Sequence, residues 1–546
     1  MGPSTLLINT PNDYSVSRTD ARRSHSLNGG KKMKKNLKKI AVLALALAMS
    51  VGMMSGCGSK SSSSSSSKSD TASKTSLVIA IDSDYNNLNP LTCSNTAESR
   101  TDDQIYDSLL RKDPNDTNKL LPRVAKSWDI SKDGKCYTFH LRDDVTFQNG
   151  DKLTAKDVKW SFEQCAKSEY QGSTVDGFDH AEIVDDYTIK IYTSSVYAPF
   201  LSSLASLSLL DKAYYEKVGK DKFAQEPIGC GPYKWVSHDD GSKWVLEAYD
   251  KYYLGAPAIK KVTYKVIGDS SSMAVGLQTG EIDFADVSDA SAYAQISKDK
   301  DVKVEKVNQT TFSFIAMNTQ KKPYNNVKFR QAISYAVDRD AIVKSVAEGL
   351  GVANSNLLEK SRLGYSDSEK QYNYDPTKAK ALLKEAGITG TYDLGTMYVA
   401  EKYKALAQVI QSELSDIGLT TKIEILEFNT YLSKLQKGDF GITCLQMDLN
   451  GDTQQVSLAL TKQYIGMANN ARWSDPKVEQ WFKDAVQTID ESEREKIYEK
   501  IFSYVQEQAV YVSLYNPTLL YAHNANLTIP TIPNDGQYLI YDFAWK

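Results

Sequence analysis

A cysteine near the start of the chain stands where covalent lipid attachment is expected. Residues 54–57 are Met-Ser-Gly-Cys, ending at Cys57, and they follow an apolar run over 40–53 that is preceded by four lysines. Basic residues, a short apolar segment and small residues before a cleavage point are typical of a secretory signal peptide. The apolar run is too short for a membrane-spanning helix, which needs roughly 20 residues. We therefore expect the Cys57 thiol to carry lipid and to anchor an extracytoplasmic protein to the outer face of the cell membrane.

The segment after Cys57 suits a flexible tether. Residues 59–76 are nearly all Ser, Lys, Thr and Ala, with serine at every position of 61–67. This composition offers no apolar surface to bury. We predict an N-terminal extension and lipoprotein signal peptide over 1–56, with Met33 as the true start, and a lipidated Ser-rich linker over 57–76.

Residue types that could support catalysis or bind a metal do not occur at the spacing that such sites need. The histidines after the signal, His140, His180, His238 and His523, are far apart, and no cysteine pair has the two-residue gap of a zinc site. The sequence also has no Gly-x-Ser-x-Gly elbow and no phosphate-binding loop with Gly-Lys-Ser/Thr. We therefore predict a protein that is not an enzyme, with no catalytic residues, no metal site and no cofactor.

Composition excludes two further classes. The whole chain has a formal net charge of −3, and nine basic but only two acidic residues precede Cys57, so the remainder carries a charge of about −10. Such an acidic body repels nucleic acid, and no nucleic-acid partner is expected. The five cysteines after Cys57 are scattered and odd in number, which is not a disulfide framework. The 490 residues from Cys57 onward exceed one compact core, so two or more domains are expected.

Several element boundaries are marked locally. Asp-Gly at 133–134 and Asn-Gly at 149–150 predict turns, with an alternating strand over 136–141 between them. Thr154 and Asp157 form a capping box that predicts a helix carrying Val158, Phe162 and Cys165 on one face.

The second half alternates between helices and strands. Helices are predicted after Asn326, after Asp338, from Asp375-Pro376 to a stop at Gly387, from Tyr403 to Gly418, and over 429–437. Strands are predicted over 420–428 and 440–447. This alternation predicts an α/β domain with a largely parallel sheet.

Seven blocks in this order resemble the family 5 extracellular solute-binding proteins, the oligopeptide and dipeptide receptors of ABC importers. The resemblance spans about 77–546. It depends on the seven blocks as a set, because each single residue within them also has an ordinary architectural explanation. The blocks are VAKSW at 124–128 with its continuation to 158, IGCGPY at 228–233, 249–257, 277–283 ending in GEID, AMNT at 316–319, 330–339 and 374–387.

The resemblance implies an α/β fold of the periplasmic-binding-protein type, in which two lobes close like a clamp. It implies a lobe I from 77–308 and 516–546, with an inserted subdomain over about 109–227, and a lobe II from 309–515. The function implied is that of a lipid-anchored, monomeric substrate-binding protein that captures short peptides between the lobes. It would deliver them to a membrane permease driven by separate ATPase subunits.

The resemblance also implies where the ligand lies. Two extended segments would flank a peptide by strand addition; they contain Asp84, Tyr85 and Asn86 in one, and Cys444, Leu445 and Gln446 in the other. Asp448 falls on the family's carboxylate that pairs with the ligand α-ammonium, a charge-assisted bond.

The far side of the cleft is assigned by the same resemblance. Asn469, Asn470 and Trp473 would line it. Leu445 stands where the family usually has tryptophan, which implies a wider or wetter pocket around the ammonium.

Other functions remain open at this level. Related proteins bind nickel chelates, heme or oligosaccharides; the scarcity of histidine argues against nickel, and the aromatic residues leave sugars open. A surface sensor or adhesin could use the same fold without import. A secreted hydrolase would need a nucleophile with a base or a metal, and the sequence shows neither.

Replacing the lipidated thiol tests the anchor. Cys57→Ala is expected to give an uncleaved or shed protein, because no thiol remains to carry lipid. Phase partition in detergent measures this for wild type and variant. Detergent-phase partition of the variant after signal removal would contradict the anchor.

Overall fold

The computed structural model describes residues 74–448 and 451–546. Cys57, the predicted signal and almost all of the Ser-rich linker lie outside these residues. Within them, no helix has the length and apolarity that a membrane span requires.

From residue 74 to 308 the described chain forms twelve strands and seven α-helices. The strands are β1 (Ser76–Ile81), β2 (Leu110–Asp113), β3 (Asp116–Pro122), β4 (Ala125–Ile130), β5 (Cys136–Leu141), β6 (Phe178–Asp185), β7 (Thr188–Thr193), β8 (Tyr233–Asp239), β9 (Lys243–Ala248), β10 (Lys261–Val266), β11 (Phe284–Asp286) and β12 (Val302–Asn308). The helices are α1 (Thr96–Ile105), α2 (Ala155–Cys165), α3 (Phe200–Ser203), α4 (Lys212–Val218), α5 (Lys220–Gln225), α6 (Ser270–Thr279) and α7 (Ala290–Ile296).

The rest of the described chain is richer in helix. Its strands are β13 (Phe312–Met317), β14 (Gly351–Ala353), β15 (Tyr392–Ala400), β16 (Leu419–Leu426), β17 (Ile442–Met447), β18 (Tyr511–Asn524), β19 (Leu527–Thr528) and β20 (Ala544–Trp545). Its helices are α8 (Val327–Ala336), α9 (Arg339–Ser345), α10 (Pro376–Glu385), α11 (Lys404–Asp416), α12 (Phe428–Lys437), α13 (Ser457–Leu460), α14 (Pro476–Gln487) and α15 (Glu491–Glu507). Short 3-10 turns lie at Pro90–Thr92, Gly172–Val175, Leu204–Ser206, Glu401–Tyr403, Thr453–Val456, Lys462–Tyr464 and Ile540–Asp542.

The 14-residue strand β18 is the spine of a ten-stranded mixed sheet. The strand order is β17-β13-β18-β11-β1-β10-β9-β8, with β12 and β14 also paired to β18. The first half of β18 pairs with β13 and β14, and its second half pairs with β12 and β11. One continuous strand therefore pairs with two separate groups of strands.

Three large apolar cores surround this spine. One is built entirely from residues 312–515, and a second from β1, α1, β8 to β10 and the C-terminal segment. The third lies within 109–230, around the four-stranded antiparallel sheet β4-β5-β7-β6. A smaller core packs α6 and α7 against β18.

The locally marked boundaries are confirmed. Thr154 and Asp157 form both halves of a capping box at the start of α2. Asp375 caps α10 and Pro376 is its first residue, while Gly387, just past its end, has φ +84°, the left-handed backbone expected of a helix stop. Gly438 ends α12 in the same way, with φ +75°.

The prediction of a largely parallel sheet in the second half is wrong. β13 runs antiparallel to both β17 and β18, and β14 also runs antiparallel to β18; only the separate pair β15 and β16 is parallel. The reason is the path of the chain. β13 leads away from the point where the chain enters this region, whereas β17 and β18 lead back to it.

A buried acid lies on helix α1. Asp102 is 5% exposed, and neither of its carboxyl oxygens has a hydrogen-bond partner in the described structure. Burial raises the pKa of this carboxyl well above its usual range, and the like charges of Asp103 and Glu98 raise it further. Asp102 is therefore favoured as a neutral acid in the folded protein.

Asp102→Asn is expected to change the pH dependence of stability. Above about pH 4 the unfolded chain loses a proton that folded Asp102 keeps, so wild-type stability falls as pH rises toward the raised pKa. The variant lacks this penalty, and its melting temperature relative to wild type should rise steadily from pH 4 to pH 7. Thermal unfolding with Asp186→Asn, at an exposed turn, as control measures the effect. A pH-independent difference would show that Asp102 is ionised in the fold.

Candidate ligand-binding site

Both segments that the sequence assigns to the ligand lie near the point where the chain crosses from β12 to β13: one follows β1, and the other is the last part of β17. The chain passes from β12 to β13 at 309–311 and returns in β18, whose Pro517 carbonyl accepts the Gln309 N–H at 2.9 Å. β11 and β12 each pair antiparallel with β18, and β1 pairs parallel with β11. β1 therefore runs in the same direction as β12. Residues 82–87 therefore leave β1 on the side that faces the crossing. β17 runs back to the crossing, where Met447 lies opposite Phe312.

Asp84 is held by protein groups. Its carboxylate accepts hydrogen bonds from the backbone N–H of Gly241 at 2.7 Å and of Tyr85 at 2.8 Å. His238 Nε2 lies 2.9 and 2.8 Å from its two oxygens. This carboxylate thus fastens the loop after β1 to the hairpin between β8 and β9.

Tyr85 and Asn86 are also engaged locally. Tyr85 is buried, its hydroxyl accepts the Trp235 Nε1–H at 3.0 Å, and burial raises its pKa to about 12. The N–H groups of Asn86 and Asn87 donate to Glu98 Oε1 at 3.0 and 3.3 Å. With these N–H groups occupied, a ligand strand here would have to bond to the carbonyl groups.

The second segment lies on β17, the end strand in the order of the ten-stranded sheet. Cys444 and Leu445 are both buried although they point to opposite faces, so both faces of the strand are covered. Burial raises the pKa of the Cys444 thiol, and Gln446 Nε2 donates to the Tyr515 hydroxyl at 3.4 Å. What β17 can offer a ligand is its backbone edge rather than these side chains.

Asp448 follows β17 and is exposed. It lies in the electrostatic range of Arg362, whose guanidinium is almost fully buried. Burial lowers the pKa of Arg362, while the negative charges of Asp448 and Asp452 oppose that shift. The carboxylate assigned to a ligand ammonium therefore already has a cation of the protein nearby.

The predicted residues on the far side brace their own loop. Asn469 Nδ2 donates to the carbonyls of Thr461 and Trp473, at 3.0 and 2.7 Å, and Asn470 Nδ2 donates to Ala468 O at 3.1 Å. Both amides are buried, and Trp473 packs partly buried against the 312–515 core. The structure thus gives these side chains a structural role.

A cavity of about 160 Å³ lies between the two sides of the crossing. Its walls come from residues 112–202, from 310–494 and from Asn534 and Asp535. The two sides touch directly beside it, since Ala198 N–H donates to Val486 O at 2.7 Å and Asn118 Nδ2 donates to Ser361 O at 3.0 Å. The charged groups lining it are Lys112, Arg362, Arg494, Asp452, Glu491 and Asp535.

This cavity was not predicted from the sequence. None of the ten predicted ligand residues is among the described residues that line it, although Asp448 is close in sequence to Asp452. Arg362 and Arg494 belong to no block of the resemblance, so no sequence feature singled them out.

A second cavity, of about 250 Å³, lies away from the crossing. Its lining residues fall within 90–208 and 530–539, around Asp102, Asp103 and Arg111. No described residue of 309–515 lines it, so its walls come from only one side of the crossing. The smaller cavity at the crossing is the better candidate.

Comparison with known proteins agrees with this geometry. Residues 119–463 match the model of the bacterial extracellular solute-binding proteins, family 5. The chain belongs to this family.

Individual relatives cover most of the chain. The dipeptide-binding protein of Escherichia coli K12 is 30% identical over 75% of this chain and 82% of its own length. Heme-binding protein A of Haemophilus influenzae is 29% identical over 77% of this chain and 83% of its own. The structure is similar to that of the periplasmic binding protein DppA of Helicobacter pylori in complex with the peptide STSA, with a TM-score of 0.71, 28% identity, and coverage of 87% and 98% of the two chains.

Family membership establishes the broad character of the molecule. This family 5 protein is an extracellular solute-binding receptor with an α/β, two-lobe clamp fold, as the sequence predicted. The positions of its ligand residues stay predictions.

Proposed function

We propose that this family 5 protein captures short peptides between its lobes and delivers them to the permease of an ABC transporter. The observation that carries the proposal is the cavity at the crossing, which is lined by charges of both signs. A short peptide is a zwitterion and needs partners for an ammonium and a carboxylate. The names of the Escherichia coli and Helicobacter pylori relatives support the same ligand class.

We propose that the lobes meet at the two backbone crossings, with lobe I formed by 77–308 and 516–546 and lobe II by 309–515. Three side-chain and backbone contacts support this division, because they join the crossings to each other. They are Gln309 N to Pro517 O, Asn516 Nδ2 to Thr311 O at 2.9 Å, and Thr518 Oγ1 to Asn308 Oδ1 at 3.0 Å. Hinge closure about such a pair of strands would bury a ligand.

The size of the cavity favours a small ligand. Pockets for drug-sized molecules measure about 300–1,000 Å³, and the cavity at the crossing is about 160 Å³. A heme, as in the name of the Haemophilus influenzae relative, would need the lobes to stand further apart. A dipeptide or tripeptide fits the closed arrangement better.

Lipid anchoring through Cys57, a monomeric state and delivery to a permease complete the proposal. A sensor or adhesin would bind the same peptides without import. Uptake of a labelled peptide by cells with and without the neighbouring permease genes separates these two roles.

A peptide screen tests the ligand class. Purified protein in EDTA should be stabilised by some short peptides, because a ligand at 100 times its dissociation constant adds about 2.7 kcal/mol to stability. Thermal shift is the measurement, with mass spectrometry of ligands that co-purify. Shifts with oligosaccharides and none with peptides would make this a sugar receptor.

Asp448→Asn tests the proposed ammonium partner. Loss of one member of an enclosed charge pair costs on the order of 2–5 kcal/mol, or roughly 30- to several thousand-fold in affinity. The nearby Arg362 shares the charge of Asp448, so we expect the low end of this range. Calorimetry with one peptide in free and N-acetylated forms measures the effect, and the acetylated form should bind wild type weakly and lose little more in the variant.

Asp439→Asn is the matched control. Asp439 is an exposed aspartate just before β17, at the end away from the crossing, and its replacement should leave affinity unchanged. Equal wild-type affinity for free and acetylated peptides would exclude Asp448 as the ammonium partner while leaving peptide binding itself intact.

A further inference from the structure

Three side chains outside the cavity bring together atoms that can ligate a metal. Asp84, His238 and Asp240 each offer one ligand atom, and these atoms all lie within 4.8 Å of one another. They come from the loop after β1 and from the end of β8 with the turn that follows it. This is the one such group of three among residues 74–448 and 451–546.

The positions of two of the three are fixed by surrounding groups. Asp84 is oriented by the N–H groups of Tyr85 and Gly241, and a carboxylate has about four lone-pair directions, so capacity for a further partner remains. The ring of Tyr85 stacks on His238 with centroids 4.3 Å apart, and the Tyr85 hydroxyl is held by Trp235 Nε1–H. Outer contacts of this kind orient the ligands of metal sites.

The distances suit a small divalent ion. His238 Nε2 lies 2.8 and 2.9 Å from the two Asp84 oxygens. With metal–ligand bonds of about 2.1 Å, neighbouring ligand atoms are about 3.0 Å apart in an octahedron and about 3.4 Å apart in a tetrahedron. The Asp84–His238 pair therefore already forms one edge of a coordination shell. The exposed side chain of Asp240, whose ligand atom lies within 4.8 Å of the other two, would complete a second edge.

We propose that Asp84, His238 and Asp240 bind one divalent transition-metal ion, with Zn²⁺ and Ni²⁺ as the best suited. Imidazole favours these ions over Mg²⁺ and Ca²⁺, which take oxygen ligands. The ion binds Nε2 of the neutral imidazole, with the ring proton on Nδ1. Water fills the remaining coordination positions. The site ties the loop after β1 to the β8–β9 hairpin, and it does not depend on which solute the cavity binds.

The presence of Asp240 as a third potential ligand distinguishes this group from a simple ion pair. An Asp84–His238 ion pair accounts for the fixed carboxylate but leaves Asp240 without a role. The three other histidines of the described chain also lie beside a carboxylate, yet none belongs to a group of three; they are His140 beside Asp129, His180 beside Asp179 and His523 beside Glu305. They provide internal controls for non-specific binding to histidine.

Calorimetric titration of the purified, tag-free protein tests the proposal after treatment with EDTA and dialysis. Zn²⁺ and Ni²⁺ should each bind with one-to-one stoichiometry, and Mg²⁺ should not bind. Asp240→Asn should weaken binding by roughly tenfold or more, and His238→Gln should abolish it. Asp239→Asn, which changes the neighbouring exposed aspartate paired with Lys243, should bind like wild type.

Three results would overturn the proposal. They are no saturable binding to wild type, equal binding by Asp240→Asn and Asp239→Asn, and loss of binding in a His140→Ala, His180→Ala double variant with an intact site. Circular dichroism checks that each variant is folded. If His238→Gln does not fold, the exposed Asp240→Asn variant still decides the question.

Discussion

The structure depends on one strand that joins two groups of strands. β18 pairs with β13 and β14 through its first half and with β12 and β11 through its second half. Backbone hydrogen bonds on both sides of β18 must stay satisfied, so the two groups of strands cannot slide along it without breaking the ladder. Under the lobe division proposed above, relative motion of the lobes would be confined to changes of direction near 309–311 and 516–518. The segments that follow β1 and β17 lie close to this crossing, where a rotation moves them little.

Buried arginines fix where that strand begins. Arg330 donates to the carbonyls of Gln508 and Ala509 just before β18, and Arg339 donates to Ser513 within it. Burial lowers the pKa of both side chains to about 10, and both remain charged at neutral pH. Their partners in these bonds are neutral carbonyl groups, which stabilise the guanidinium charge by accepting hydrogen bonds of 2.7–3.2 Å. The family block at 330–339 thus serves architecture, as the sequence analysis expected of single block residues.

The glycines of another block have a similar explanation. A Cβ on Gly229 would overlap the carbonyl of Ile105, and one on Gly231 would crowd the carbonyls of Ile105 and Tyr106. Gly231 N–H donates to Ile105 O at 2.8 Å, so the chain runs against the end of α1 with no room for a side chain. The sequence shows the two glycines of this block, but the close approach that requires them is made by α1, a distant segment of the chain.

The sequence alone did not predict the features that are formed by segments far apart in the chain. Caps and helix stops, such as those at Thr154 and Gly387, follow from neighbours within one turn and were predicted. Strand direction depends on the whole path of the chain, and the parallel sheet was wrongly predicted. Asp84 and His238 are 154 residues apart, so their contact leaves no spacing pattern. Arg362 lies between β14 and α10 in a stretch without helix or strand, which carries no periodicity to interpret.

The charges at the crossing are of both signs, which suits the zwitterionic ligand proposed above better than a ligand with a single charge. Lys112, Arg362 and Arg494 face Asp452, Glu491 and Asp535 around one cavity. Enclosing a charge removes its hydration, and the loss is offset only where an opposite charge and hydrogen bonds replace the water. A ligand with one sign of charge would interact favourably with only one of the two sets, although Arg494 and Glu491 also pair with each other at 3.6 Å. A molecule with an ammonium at one end and a carboxylate at the other meets both sets, and its length then decides whether both ends reach their partners.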